Sequence, residues 1–251
     1  MNILVCVKRV PMTGGKIVLT DDERAISTRH LGFTVSPHEE CGAEEAVRLV
    51  EEHGGSSTVL TLGPPEAQEQ LRDVMAIGID RAIHLVTDGA EWDPQATAAA
   101  IAAAITAEDE LPDLILFGNE SADAGNYQVP IRVAHLLGLP CVTAVKGISI
   151  QGESLRCEQE VAGGRDVYLT ALPAVVSVRE GLNLPRYPSV PGRLRAKRKP
   201  VEALHPARPD ARLEMVRLLL PPGSGKQVQL LGDGAQAAPA VVAVLTELGL
   251  V

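Results

Sequence analysis

The sequence predicts an α/β fold: a parallel sheet with helices on both faces, an antiparallel excursion at one edge, and an extended C-terminal arm. Three observations carry this. As far as Pro140, short continuous apolar runs alternate with amphipathic segments of roughly 10–15 residues, the pattern of strands buried between helical layers. Beyond Pro140, short apolar runs follow one another, split by Gln151-Gly152 and Gly163-Gly164, which read as hairpin turns. Beyond Gly181 prolines crowd in, yet Leu218-Leu-Leu220 keeps the segment too apolar for a free linker. An arm lying on a partner subunit satisfies both facts.

The first strand is Ile3 to Val7, ending at Lys8-Arg9. A loop with Pro11 and Gly14-Gly15 follows, with a short strand at Ile17 to Leu19. Pro37 opens a helix whose first turns carry Glu39 and Glu40, as the helix dipole favours, with Ala43, Ala46, Val47 and Val50 on one face. Ser57 to Leu62 is the second main strand, Glu66 to Ile77 a helix, and Arg81 to Val86 the third strand. Asp93 is placed to cap the next helix, with Pro94 at its first position and the end near Thr106. Leu114 to Phe117 is the fourth strand. Val142 to Ile150, Ser154 to Gln159, Asp166 to Thr170 and Ala174 to Val178 make the antiparallel excursion. Gln236 to Leu248 is a last helix.

The chain of 251 residues divides, on this reading, into an α/β domain at 1–192 and an arm at 193–251. Aromatic residues are 2%, so base-stacking platforms are not expected, and the net charge of −9 argues against nucleic acid and anionic membranes as partners. The four cysteines lie far apart without metal-ligand spacing, and the six histidines form no pair, so no catalytic or metal role is assigned. No apolar run reaches the roughly 20 residues that span a bilayer. The N-terminus does not read as a signal peptide. A cytoplasmic protein is expected.

The stretch Leu114 to Pro130 organises the rest. An apolar run ends in Gly118, a small polar loop follows, and Pro130 opens an apolar-periodic segment. Strand, loop and helix in that order leave free N–H groups at the helix start, a site for an anion such as phosphate. Ligands of parallel sheets sit beyond the carboxyl ends of the strands, here Val7-Lys8, Thr61 to Gly63 and Phe117-Gly118. No G-x-G-x-x-G or Walker pattern is present, so the residues alone leave open an ordinary connection or a nucleotide site.

Taken together the segments resemble the beta subunit of electron transfer flavoproteins. The carrying residues are Ile3 to Val10, Glu44 to Leu49, Gly63-Pro64 with Ala76 to Arg81, and Phe117 to Asp123 with Gln128. The strongest run from Glu158 to Glu160 and Gly163-Gly164 through Leu172 to Val176, then Leu182-Asn-Leu-Pro-Arg-Tyr-Pro188 and Ala196 to Lys199. The resemblance implies an adenine-nucleotide alpha-hydrolase-like fold and a heterodimer. Its alpha subunit holds most of the redox-active FAD, and the beta subunit holds an AMP. It implies electron transfer from flavin-dependent dehydrogenases to a membrane quinone oxidoreductase, with no bond-making step by this subunit. In electron-bifurcating relatives a second FAD takes the AMP's place, and that alternative stays open.

Carried over by position, the implied nucleotide contacts are Cys6; Ser36, Pro37, His38 and Glu39; Leu62 and Gly63; then Gly118, Asp123, Gly125, Asn126, Tyr127, Gln128, Val129, Ile131 and Ala134. Tyr127, Val129 and Pro130 replace the family's usual Asn, Thr and Gly, so a threonine hydroxyl contact is missing at Val129. Thr13 stands roughly where a tyrosine often faces the flavin. Leu182 is the implied anchor of a partner-recognition loop with Asn183, Pro185, Arg186 and Tyr187, an exposed leucine in a proline-stiffened loop. The basic run Arg193 to Lys199 adds steering toward acidic partners. A stand-alone nucleotide-binding regulator is a second reading. An ATP-splitting enzyme comes last, because Val7-Lys-Arg-Val-Pro11 stands where a Ser-Gly-Gly phosphate loop is wanted.

Overall fold

The first β-strand, β1 (Asn2–Cys6), sits near the middle of a nine-stranded sheet, flanked in parallel by β4 (Ser56–Gly63) and β6 (Leu114–Gly118). This is seen in a computed structural model, which describes residues 1–12, 14, 17–221 and 229–251. The expectation for Thr13 lies outside the described residues. Two short strands, β2 (Val10–Pro11) and β3 (Phe33–Thr34), pair antiparallel beside the sheet. Outward from β4 lie β5 (Arg81–Val86) and then β11 (Val201–Leu204), both parallel. Outward from β6 lie β10 (Ala174–Val178) and β7 (Cys141–Gln151), also parallel. β8 (Ser154–Val161) and β9 (Gly164–Ala171) close that side as an antiparallel pair.

Alternate side chains of a strand face opposite layers, and both layers are filled. Val5, Leu114, Leu116 and Val176 pack under α1 (Pro37–His53) and α2 (Gln68–Met75). Leu4, Leu60, Ile115 and Val175 pack under α3 (Pro94–Thr106) and α4 (Val129–Leu137). α3 is alanine-rich, which lets it lie close to α4 and the sheet. Asp93 caps it as expected, its Oδ1 accepting from Ala96 N at 2.7 Å.

The predicted helix 66–77 is a 3-10 turn at Pro65–Ala67 followed by α2. Ala174–Val178 is not part of the antiparallel excursion: β10 returns between β6 and β7 as a parallel strand. All five of its residues are buried, and Val175 and Val176 face opposite cores. A continuous apolar run of this kind belongs in a sheet covered on both sides.

Past Gly181 there is more order than the prolines suggested. Ser189 Oγ accepts from Gly192 N at 3.1 Å and caps α5 (Val190–Ala196). Gly192 touches the end of α2 so closely that a Cβ there would stand 2.4 Å from Ala76 O. Two cations of the basic run are fastened at α2 and the turn after it: Lys199 Nζ donates to Gly78 O at 3.0 Å, and Arg193 pairs with Asp73 at 3.0 Å. The position 192/193 therefore falls inside α5, and the chain stays on the sheet to Leu204.

Beyond that it crosses the β5–α3 connection, where Arg208 donates to Glu91 O at 2.7 Å and Leu213 N to Asp93 Oδ2 at 2.9 Å. It ends in α6 (Ala238–Glu247), none of whose residues is buried. Among the described residues no helix is long and apolar enough to cross a membrane, and no acid, His and Cys cluster could hold a metal ion.

Candidate nucleotide site and partner surface

The carboxyl ends of β1, β4 and β6 meet the amino ends of α1 and α4, and the loop after β6 lies among them. Gly118 is required by close approach: a Cβ there would stand 2.6 Å from Glu39 Cγ. Glu39, at the third position of α1, is buried. Its Oε1 accepts from Lys8 N and its Oε2 from Ser36 N, each at 3.1 Å. Ser36 Oγ in turn accepts from Ala122 N of the loop at 3.0 Å. On the far side Asn119 Oδ1 accepts from Ala144 N and Ser177 Oγ, both at 3.0 Å, and so ties the loop to β7 and β10.

Charge is unevenly spread around the loop. Lys8 Nζ lies 2.8 Å from both Glu91 and Asp123. Burial alone would lower the Lys8 pKa, but the two carboxylates outweigh it and raise it. Burial would raise Asp123, and Lys8 outweighs that to hold it below the ordinary value. Burial pushes the Glu39 carboxyl up to about 8, against the two N–H groups and Lys8. The β1 end thus gathers three carboxyl groups around one lysine.

The start of α4 differs. Arg132 donates to Gln128 Oε1 from Nε at 3.1 Å and from Nη2 at 2.9 Å, and to Gln95 Oε1 at 3.4 Å. Among the described residues it has no carboxylate partner. A guanidinium held by neutral amides beside a helix N-terminus leaves its charge available to an anion.

Of the expected nucleotide residues, the structure brings Ser36–Glu39, Gly63, Gly118 and Asp123–Val129 to this end of the sheet. Cys6 and Ala134 have their side chains in the core under α3 and α4, so these two leave only backbone to a ligand. Burial, with Glu39 nearby, pushes the Cys6 thiol far up. Leu62 and Val129 also pack against that core, whereas Ile131 is exposed. Tyr127 takes a left-handed φ of 57° and is half exposed. Pro130 is the second helical residue, with Val129 the first. Lys8, Glu91, Asn119 and Arg132 were not singled out by sequence. The partners of Lys8, Glu91 and Asn119 stand far away in the chain, Arg132 is held mainly by Gln128 four residues back, and only Lys8, closing the first strand, left a signal.

The model of the electron transfer flavoprotein domain matches residues 25–209. A beta subunit of electron transfer flavoprotein from Bacillus subtilis (strain 168) is 34% identical over 98% of this chain and 97% of its own. One from Syntrophomonas wolfei subsp. wolfei is 36% identical over 92% of this chain and 90% of its own, and one from Mycobacterium leprae 37% over 81% and 78%. The chain belongs to the electron transfer flavoprotein beta-subunit family.

The segment that the family resemblance marks as a recognition loop is built as a clasp on α1. Asn183 Nδ2 donates to Cys41 O at 3.0 Å and to Glu45 Oε2 at 2.8 Å. Arg186 forks onto Glu44 and Glu51, with Nε 2.9 Å from Glu44 Oε2 and Nη1 2.7 Å from Glu51 Oε1. Leu182 does not have the exposure expected of an anchor. It is half-buried and packs on the core under α1. The apolar side chains the loop does present are Leu184, 90% exposed, and Tyr187, 98% exposed, with Val190 and Leu194 exposed beside them. Arg195, Lys197 and Arg198 are exposed next to these. Leu182 was chosen by sequence position, but it lies over apolar core, whereas Leu184 does not.

Proposed function

We propose that this chain is the beta subunit of a heterodimeric electron transfer flavoprotein. The complex accepts electrons from flavin-dependent dehydrogenases and passes them toward a quinone oxidoreductase. Its alpha subunit holds most of the FAD, and this chain holds a structural AMP; it carries electrons and catalyses no bond-making step. The bound FAD supplies the electron-accepting group.

The observation that carries the reading is the family match together with the loop cradle at the carboxyl ends of β1, β4 and β6. The N–H groups opening α4 and the Arg132 guanidinium suit a single phosphate. Val129 offers no hydroxyl, so that contact rests on backbone. The acidic β1 end suits the uncharged part of the nucleotide better than a phosphate chain. Gly118 admits the close passage of backbone there.

The partner surfaces are two. Leu184, Tyr187, Val190 and Leu194, with the cations beside them, fit an acidic docking face on the dehydrogenase. The arm leaves Val216, Leu219, Leu230, Val242 and Leu250 uncovered, and packing on the alpha subunit covers them. A stand-alone regulator would leave that apolar surface in water. Four free cysteines, three of them buried, suit a reducing cytoplasm.

The test is co-expression with candidate alpha subunits, followed by extraction of the complex and identification of its nucleotides by mass. A yellow complex yielding FAD and AMP in equal amounts is expected. Two FAD and no AMP would replace the AMP reading with a bifurcating one. A colourless monomer that binds no alpha subunit would overturn the whole.

A further inference from the structure

Ser36 and Glu39 stand at positions where nucleotide contacts are implied, yet their side chains are occupied by the protein itself. Both Glu39 oxygens accept backbone N–H groups, from Lys8 on one side and Ser36 on the other. Ser36 Oγ accepts from Ala122 in the middle of the loop. The Glu39 chain is also the floor on which Gly118 rests. The two residues therefore join three separate pieces of backbone: the end of β1, the start of α1, and the loop after β6. The salt bridge from Lys8 Nζ to Asp123 reaches the loop one residue further on, from the same segment that Glu39 holds.

We propose that Ser36 and Glu39 are positioning residues for the 118–130 loop, a relay that holds Ala122 and Asp123 in place so that the α4 end can receive the phosphate. The proposal rests on the nucleotide reading given above. The relay explains why a buried carboxyl is kept in a site meant for an anion: it consumes the donors at the β1–α1 junction and leaves those of α4 free. It also divides the implied contacts in two. Residues from Tyr127 to Arg132 meet the ligand, and Ser36 and Glu39 act through the loop.

The experiment uses the full chain co-purified with its alpha subunit, in wild-type form and as Ser36→Ala, Ser36→Thr and Glu39→Gln. Two quantities are read: hydrogen exchange at the Ala122 amide, and the dissociation constant of AMP added to nucleotide-stripped complex. Ser36→Ala is expected to speed exchange at Ala122 roughly tenfold and to weaken AMP binding by about as much, the scale of one lost hydrogen bond to a backbone donor. Glu39→Gln, which turns one acceptor into a donor facing an N–H, is expected to do the same. Ser36→Thr keeps the hydroxyl and is expected to stay within about twofold of wild type in both.

Unchanged exchange at Ala122 in Ser36→Ala overturns the relay. Faster exchange with AMP affinity intact overturns its bearing on the nucleotide. If Glu39→Gln fails to fold, the two serine variants decide alone. If wild type binds no AMP while Ser36→Ala still speeds exchange, the relay stands and the nucleotide reading falls.

Discussion

The loop after β6 and the arm after Leu204 are both irregular chain, and they are held in opposite ways. Around the loop, Ser36 at the start of α1 accepts from Ala122, Asn119 accepts from β7 and β10, Asp123 is paired with Lys8, and Gly118 is packed against α1. In the arm, α6 buries nothing and Leu219, Leu230 and Leu250 face solvent. The loop is ordered by its own subunit; the arm carries apolar surface that only another surface can cover. Irregular backbone is therefore no guide to independence. What decides is where the side chains find partners.

The sharpest way to break this contrast is to remove residues 205–251. Binding of the alpha subunit is expected to weaken by roughly a hundredfold or more, the scale of losing several buried anchors. The melting temperature of the remaining fold is expected to move by only about 4 °C or less, because β11 still covers β5. Co-purification and thermal unfolding check both halves. A large fall in stability with binding retained would reverse the roles of the two regions.

Single residues test the same contrast. Leu116→Ala, in the fully buried centre of β6, is expected to cost about 2–5 kcal/mol in urea unfolding. Leu219→Ala in the arm is expected to stay within about 0.5 kcal/mol for the isolated chain. At the site, Arg132→Gln is expected to weaken AMP binding roughly tenfold to a hundredfold, the range of one charge-assisted contact. Titration calorimetry measures it, and unchanged affinity would move the phosphate away from α4.

The same site is open to a pH test. Glu39 has its carboxyl raised from 4.5 to about 8 in the fold, so the native state keeps a proton that the unfolded chain has given up. Stability from this group is complete below about pH 4.5 and is lost as pH rises toward about 8. Asp123 works the other way: its lowered pKa gives stability that is present above the unfolded value of 3.8 and lost in acid. Glu39→Gln is expected to flatten the slope between pH 5 and 8, roughly, in denaturant titrations and to leave the acid limb in place. An unchanged slope would place the titration elsewhere.

The parallel sheet was legible because Ile3–Val7, Ser57–Leu62, Arg81–Val86 and Leu114–Phe117 are apolar on both faces, and a strand of that kind has few other places to go. β10 carried the same signal and was misassigned because the hairpins before it suggested continuity. β11 was missed: four residues after Pro200, one of them Glu202, gain their strand character only from pairing with β5. At the site, sequence placed Ser36, Glu39 and Asp123 on segments that the fold brings together at the carboxyl ends of β1, β4 and β6. It did not show that Glu39 faces Lys8 across 31 positions or that Arg132, among the described residues, is held by amides and not by a carboxylate. Those are facts of spatial neighbourhood, which periodicity does not encode. Leu182 is less exposed than expected for a related reason, since exposure follows from what lies beneath a residue.

One helix carries both ends of this molecule's work. Ser36 and Glu39 lie at the start of α1, and the Asn183–Arg186 clasp grips its Cys41, Glu44, Glu45 and Glu51. A rod of 17 residues spans about 25 Å at 1.5 Å each. It serves as a ruler: the interval between the loop after β6, tied to the start of α1, and the exposed Leu184–Tyr187 edge is set by helical rise, not by loop conformation. Leu184 and Tyr187 are thereby presented from a stiff support, at a distance that the rigidity of α1 keeps constant.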